Sequence, residues 1–73
     1  MLDTRENVKA YLFITHAIAD AIKALGRVPA GTMYAHVMAR LDLETFNSVI
    51  GTLVRAELVE RTASHELVWI GPV

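Results

Sequence analysis

The strongest constraint on this chain is the stretch 32–59, where two short helical patterns are joined by a tight turn and lead directly into an extended segment. In residues 32–40, Met33, Tyr34, Val37 and Met38 recur at the spacing of a buried helix face. Val37, Met38 and Leu41 could also line a soft ligand pocket, but a methionine-bearing core is the simpler reading in a domain this small. In residues 43–56, Leu43, Phe46, Ile50, Leu53 and Val54 make a second apolar stripe, with Val49 near its edge. Asp42 stands at the N-cap position, and Glu44 follows where a carboxylate suits the helix dipole. The opposite face reads Glu44, Thr45, Asn47, Ser48, Gly51, Thr52 and Arg55. Gly51 costs up to ~1 kcal/mol relative to alanine inside a helix. It marks either a close approach, to the preceding helix or to a partner, or simple tolerance.

What flanks this stretch has to cover its apolar stripes. Upstream, Asp3 or Thr4 can cap a helix over residues 4–25, with Asp3 and Glu6 in or near its first turn and Gly26 as a stop. Val8, Leu12, Thr15, Ala19 and Ile22 share one face of that helix, edged by Tyr11, Ile18 and Leu25. Ala10, Ile14, Ala17 and Ala21 share a second, and Arg5, Lys9, His16, Asp20 and Lys23 form a narrow polar strip. An ordinary surface helix has one apolar stripe. Alanine tolerates exposure, which accounts for Ala10, Ala17 and Ala21 but not for Ile14 or the neighbouring Phe13. The second face is therefore expected to pack against another subunit.

Residues 26–31 form a connection, and Val28 before Pro29 is biased towards extended backbone. Val28 is either a very short first strand or a loop residue plugging the core edge. Downstream, 59–61 and 66–70 read as two strands joined by the polar residues 62–65. A four-residue loop would set Arg61 opposite Glu66, an opposite-charge pair. Leu67 and Trp69 fall on one face, Val68 and Ile70 on the other. That two-sided apolar strand lies under the first helix or meets a partner.

The 73 residues allow a single domain over 1–73, and the absence of cysteine removes disulfides and thiolate metal sites. A hydrophobic fraction of 53% is high for so small a domain and points to apolar surface buried against a partner, itself in a homodimer. The net charge of −1 gives no bulk attraction to nucleic acid, so DNA contact would need local clustering of the seven Lys and Arg. His16 and Asp20 interrupt the apolar run behind Lys9, unlike a signal peptide, and no segment has the ~20 apolar residues of a membrane span. A cytoplasmic, soluble protein is expected, with no membrane partner.

In element order and pattern the chain resembles the winged helix-turn-helix superfamily of small bacterial and archaeal DNA-binding proteins. The residues carrying the resemblance are Tyr34-x-x-Val37-Met38, Leu43-x-x-Phe46-x-x-x-Ile50-x-x-Leu53, and the small-x-Leu-Val turn Ala56-Glu57-Leu58-Val59. It implies an α+β, mostly α fold: three helices and then a two-stranded antiparallel hairpin wing over 58–70. It also implies a transcription regulator whose third helix enters the major groove while the hairpin loop meets the backbone. Carried onto this sequence, the groove-facing residues become Thr45, Asn47, Ser48, Thr52 and Arg55. The phosphate contacts become Arg40, Arg61 and His65, with Arg27 as a further candidate. Dimerisation would use Ala10, Phe13, Ile14, Ala17 and Ala21, with Val68 and Ile70 as a second surface.

The chain departs from a strong DNA binder in one respect. Its recognition helix carries one basic residue, Arg55, and starts with Glu44, which repels phosphate. A protein-interaction module with little or no DNA binding is the alternative. An enzyme is not expected: there is no phosphate loop, and His16 with Asp20 at i, i+4 supplies too few ligands for a metal site. No cofactor or metal is expected.

Overall fold

How the chain leaves its first helix sets the rest of the path. Gly26 takes φ +77, and its N–H closes the helix on the Ile22 carbonyl at 2.7 Å. A side chain is strained in that conformation and glycine is not. The computed structural model describes the backbone of residues 4–72 and the side chains of residues 8–72. It contains α1 (Thr4–Leu25), β1 (Arg27–Pro29), α2 (Ala30–Val37), α3 (Leu43–Arg55), β2 (Val59–Arg61) and β3 (Glu66–Trp69). The fold is α+β and mostly helical. The cap expected at Asp3 or Thr4 and the Glu6 carboxylate lie outside the described side chains.

The sheet is antiparallel with order β1-β3-β2, so the wing has three strands rather than the expected two. Val28 is the middle of the added strand, 4% exposed and opposite Leu67. Pro29 is tolerated there because β1 is an edge strand. The two-sided apolar character of β3 follows from its central position. Leu67 is fully buried, Val68 and Trp69 are half-buried, and Ile70 stays 49% exposed just beyond the strand.

The hairpin register differs from expectation by one residue. Arg61 lies opposite Leu67, not Glu66. The chain turns through three residues instead of four: Thr62 N–H donates to the Glu66 carbonyl at 2.9 Å and His65 N–H to the Thr62 carbonyl at 3.0 Å. His65 takes φ +61, the left-handed residue such a loop needs. The Thr62 hydroxyl oxygen also accepts from Glu66 N–H at 3.1 Å. Glu66 meets Arg27 instead, at 3.6 Å.

α2 begins at Ala30, two residues before the expected start, because Pro29 occupies the N-cap position and the Ala30 N–H is taken by the His65 carbonyl at 2.8 Å. It ends at Val37 rather than near residue 40; Met38 and Arg40 N–H groups close a turn on Tyr34 and Val37.

One core joins Ile18, Ala19 and Ile22 of α1 to Val28, Met33, Leu41, Phe46, Val49, Ile50, Leu53, Val59 and Leu67. Several apolar residues assigned to it from sequence are not in it. Val8, Leu12, Leu25, Met38, Leu43 and Val54 are each 40% exposed or more. Val49, expected at the edge of α3, is fully buried. On α1 the buried arc is rotated relative to the sequence reading, so Ile14 and Ala21 of the expected dimer face pack against the core.

α3 is held at both ends. Asp42 Oδ1 accepts from Thr45 N–H at 3.0 Å. The Thr45 side chain, and then this backbone bond, hold the Asp42 carboxyl below its ordinary value of 3.8. At the other end Leu58 N–H donates to the Leu53 carbonyl and Glu57 N–H to the Val54 carbonyl, each at 3.0 Å. This is the paired-bond helix terminus in which glycine normally takes the left-handed position. Here Glu57 takes it, at φ +61.

Two outcomes are expected. Glu57→Gly relieves roughly 1 kcal/mol of backbone strain and raises the thermal midpoint by about 4–8 °C; an unchanged or lower midpoint in calorimetry contradicts the strain assignment. Asp42→Ala lowers stability at neutral pH. Because the folded-state pKa of Asp42 is depressed, its contribution is present above the ordinary carboxylate value and lost as pH falls through the folded value. The gap between wild type and Asp42→Ala in chemical denaturation therefore closes in acid. A gap that stays constant down to strongly acidic pH refutes the capping role.

Candidate nucleic-acid interface

The one-residue difference in the hairpin has a consequence for the outer face of α3. With Arg61 on the same face of the sheet as Leu67, its side chain reaches α3. There Asn47, Ile50, Gly51, Val54, Arg55 and Arg61 line an open groove of about 330 Å³. Gly51 forms its floor. A methyl group at Gly51 would meet only the Arg55 Nη1, at 3.9 Å. The glycine thus leaves open space on the surface, and does not mark a close approach to α2.

The polar side chains of α3 form two sets that Arg55 joins. Asn47 and Arg55 face the groove with Arg61, across from β2. Ser48 and Thr52 turn towards α1, where Tyr11 Oη lies 3.4 Å from Ser48 Oγ and 3.1 Å from Thr52 Oγ1. Thr52 Oγ1 donates to the Ser48 carbonyl at 3.0 Å and accepts from Arg55 Nη2 at 3.5 Å. Either hydroxyl can donate across the Tyr11–Ser48 and Tyr11–Thr52 contacts. The Thr15 hydroxyl, one turn on from Tyr11, donates to the Tyr11 carbonyl at 2.7 Å. The bond with Ser48 lowers the Tyr11 phenol pKa most, the bond with Thr52 and the Arg55 charge add to it, and burial opposes them. Tyr11 was legible from sequence only as the edge of a buried face. Its role as the partner of Ser48 and Thr52 depends on how α1 crosses α3, which no local pattern encodes.

The remaining expected contacts are scattered. Thr45 is half-buried, with its N–H occupied by the Asp42 cap. His65 is exposed at the hairpin tip. Arg40 lines a different groove, between α1 and α2, and is not grouped with Arg55 and Arg61. Arg27 is partly neutralised by Glu66. Glu44 and Glu60 are exposed.

No family model, no curated protein and no solved structure matches this chain. Among the described residues no helix is long and apolar enough to cross a membrane.

The Tyr11 assignment can be checked by titration. The chain has two tyrosines, so Tyr34→Phe leaves Tyr11 alone to ionise. Its phenolate absorbance is expected to rise with a midpoint below the ordinary value of 10.0. Ser48→Ala should move that midpoint back up. A Tyr11 midpoint at or above the ordinary value contradicts the hydrogen-bonded arrangement.

Proposed function

We propose that this chain is a winged-helix DNA-binding protein, a small homodimeric regulator of transcription, with α3 as recognition helix and the β2–β3 loop as wing. The observation that carries this reading is the groove that Asn47, Arg55 and Arg61 line together beside the open surface of Gly51. Two guanidiniums in the groove can each take a phosphate oxygen, and Asn47 can bond a base edge. The element order supports it too: a helix, a short strand, two helices joined by a tight turn, and a hairpin. Ser48 and Thr52 become positioning residues that tie the recognition helix to Tyr11. Arg40 leaves the set of phosphate contacts, while His65 at the loop tip remains in it.

The charge balance makes affinity modest. With a net charge of −1, attraction comes from Arg55 and Arg61 against Glu44 and Glu60. Phosphate neutralisation supplies most of non-specific binding, so few contacts mean a shallow salt dependence. Two copies double the contacts.

A protein-binding module is the second reading, favoured by a specific observation. Leu43 and Val54 on α3 are 53% and 40% exposed, and Ile50 and Val54 line the same groove as the arginines. An apolar floor with a basic rim also suits an acidic, partly apolar peptide.

The two readings separate in one titration. Binding of a fluorescent random duplex at low salt is expected, weakening as salt rises. Arg55→Ala and Arg61→Ala should each weaken binding and lower the slope of log K against log salt by about 1. Arg40→Ala should leave the slope unchanged. Absence of any salt-sensitive binding at low ionic strength sinks the DNA reading and leaves the peptide one.

A further inference from the structure

We infer that a second copy of this chain docks on the groove between α1 and α2, with the two α1 helices antiparallel and Phe13 of each copy seated beside Ala17 of the other. The inference deepens the homodimer of the reading above by naming the contact surface, and it holds or fails without DNA.

Phe13 is 76% exposed, more than any other large apolar side chain described. Next to it lies a groove of about 220 Å³ whose walls are Ile14, Ala17, Ile18, Val37 and Leu41, with Arg40 at the rim. A cavity of about 150 Å³ is enough to hold benzene, so the groove has room for a phenyl ring. Phe13 sits on its edge and leaves it open. One face of the molecule thus carries both an unburied aromatic ring and an apolar recess that would take one. A two-fold axis between two copies satisfies both, because in such a pair what projects from one copy meets the recess of its mate.

The charges on α1 fix the direction. Lys9, Phe13, Ala17 and Asp20 follow one another along the exposed side at helical spacing. Placing Phe13 opposite Ala17 of an antiparallel second helix brings Ala10 opposite Asp20 and Lys9 within one residue of that carboxylate. The two-fold axis makes this pairing twice. A parallel arrangement would instead set Lys9 against Lys9 and Asp20 against Asp20. Ala10 and Ala17 let the axes approach to the roughly 8 Å that close helix packing needs. Val68 and Ile70, the other surface expected to dimerise, belong to the sheet and take no part in this contact. The contact rests on one helix pair and one recess, so the dimer is expected to dissociate measurably on dilution.

The test is sedimentation equilibrium of the full chain without DNA, over a concentration series, with circular dichroism and thermal melts on every variant. The wild type is expected to be in monomer–dimer exchange. Phe13→Ser should raise the dimer dissociation constant at least tenfold with an unchanged far-ultraviolet spectrum and melting point, since Phe13 adds little to its own core. Lys9→Asp should weaken the dimer several-fold by setting two carboxylates together. Adding Asp20→Lys to Lys9→Asp should restore it, and only an antiparallel pair behaves so. A wild type that stays monomeric at millimolar concentration, a Phe13→Ser variant that dimerises as well as wild type, or a charge swap that fails to restore dimerisation each overturns the inference. A dimer confirmed here alongside no DNA binding would reject the regulator and keep this interface.

Discussion

Everything in this domain depends on burying Leu67, the residue at the centre of the middle strand, between two layers. It faces Val28 across the β1 pairing, α1 packs on its strand, and it shares one core with Ile18, Ile22, Phe46, Ile50 and Leu53. A chain of this size has roughly 4–11 kcal/mol of total stability at ordinary per-residue values. Truncating one buried leucine to alanine costs about 2–5 kcal/mol. The core therefore has little redundancy, and the polar features of the surface are built on a scaffold that cannot tolerate internal change.

The elements with strong local signals were legible in the sequence. Gly26 ends α1, and Asp42 caps α3 with the expected bond. The apolar stripe Phe46, Ile50, Leu53 lies where helical periodicity predicts it. The misses share a cause. Whether Leu43, Val54, Val8 or Leu12 is buried depends on where the neighbouring helix crosses, and a wheel drawn for one helix has no information on that. The hairpin register turned on whether His65 adopts a left-handed conformation, which histidine does only uncommonly. The apparent Arg61–Glu66 match favoured the wrong loop length, and Glu66 found Arg27 on the opposite edge strand instead. Glu57 at a position that favours glycine was equally hidden.

The candidate site was legible in composition and not in arrangement. The sequence presented a polar face on α3 and a handful of arginines. Folding sorts them: Asn47 and Arg61 line the groove between α3 and β2, Ser48 and Thr52 meet Tyr11, Arg55 touches both sets, and Arg40 lies in another groove. What remains is a small basic rim around an apolar floor, on a chain whose net charge opposes nucleic acid. Such a surface gains by being presented twice, and the exposed Phe13 beside an empty apolar groove offers the means.

The central claim is that the groove between α3 and the wing is the surface that meets DNA. The most direct measurement is the chemical-shift map of the isotopically labelled chain on addition of a random duplex at low salt. The account predicts shifts concentrated at Asn47, Gly51, Arg55, Arg61 and the hairpin tip around His65, reversed by added salt, with Val37 and Leu41 unaffected. Shifts centred on the α1–α2 groove, or none at all, would contradict it.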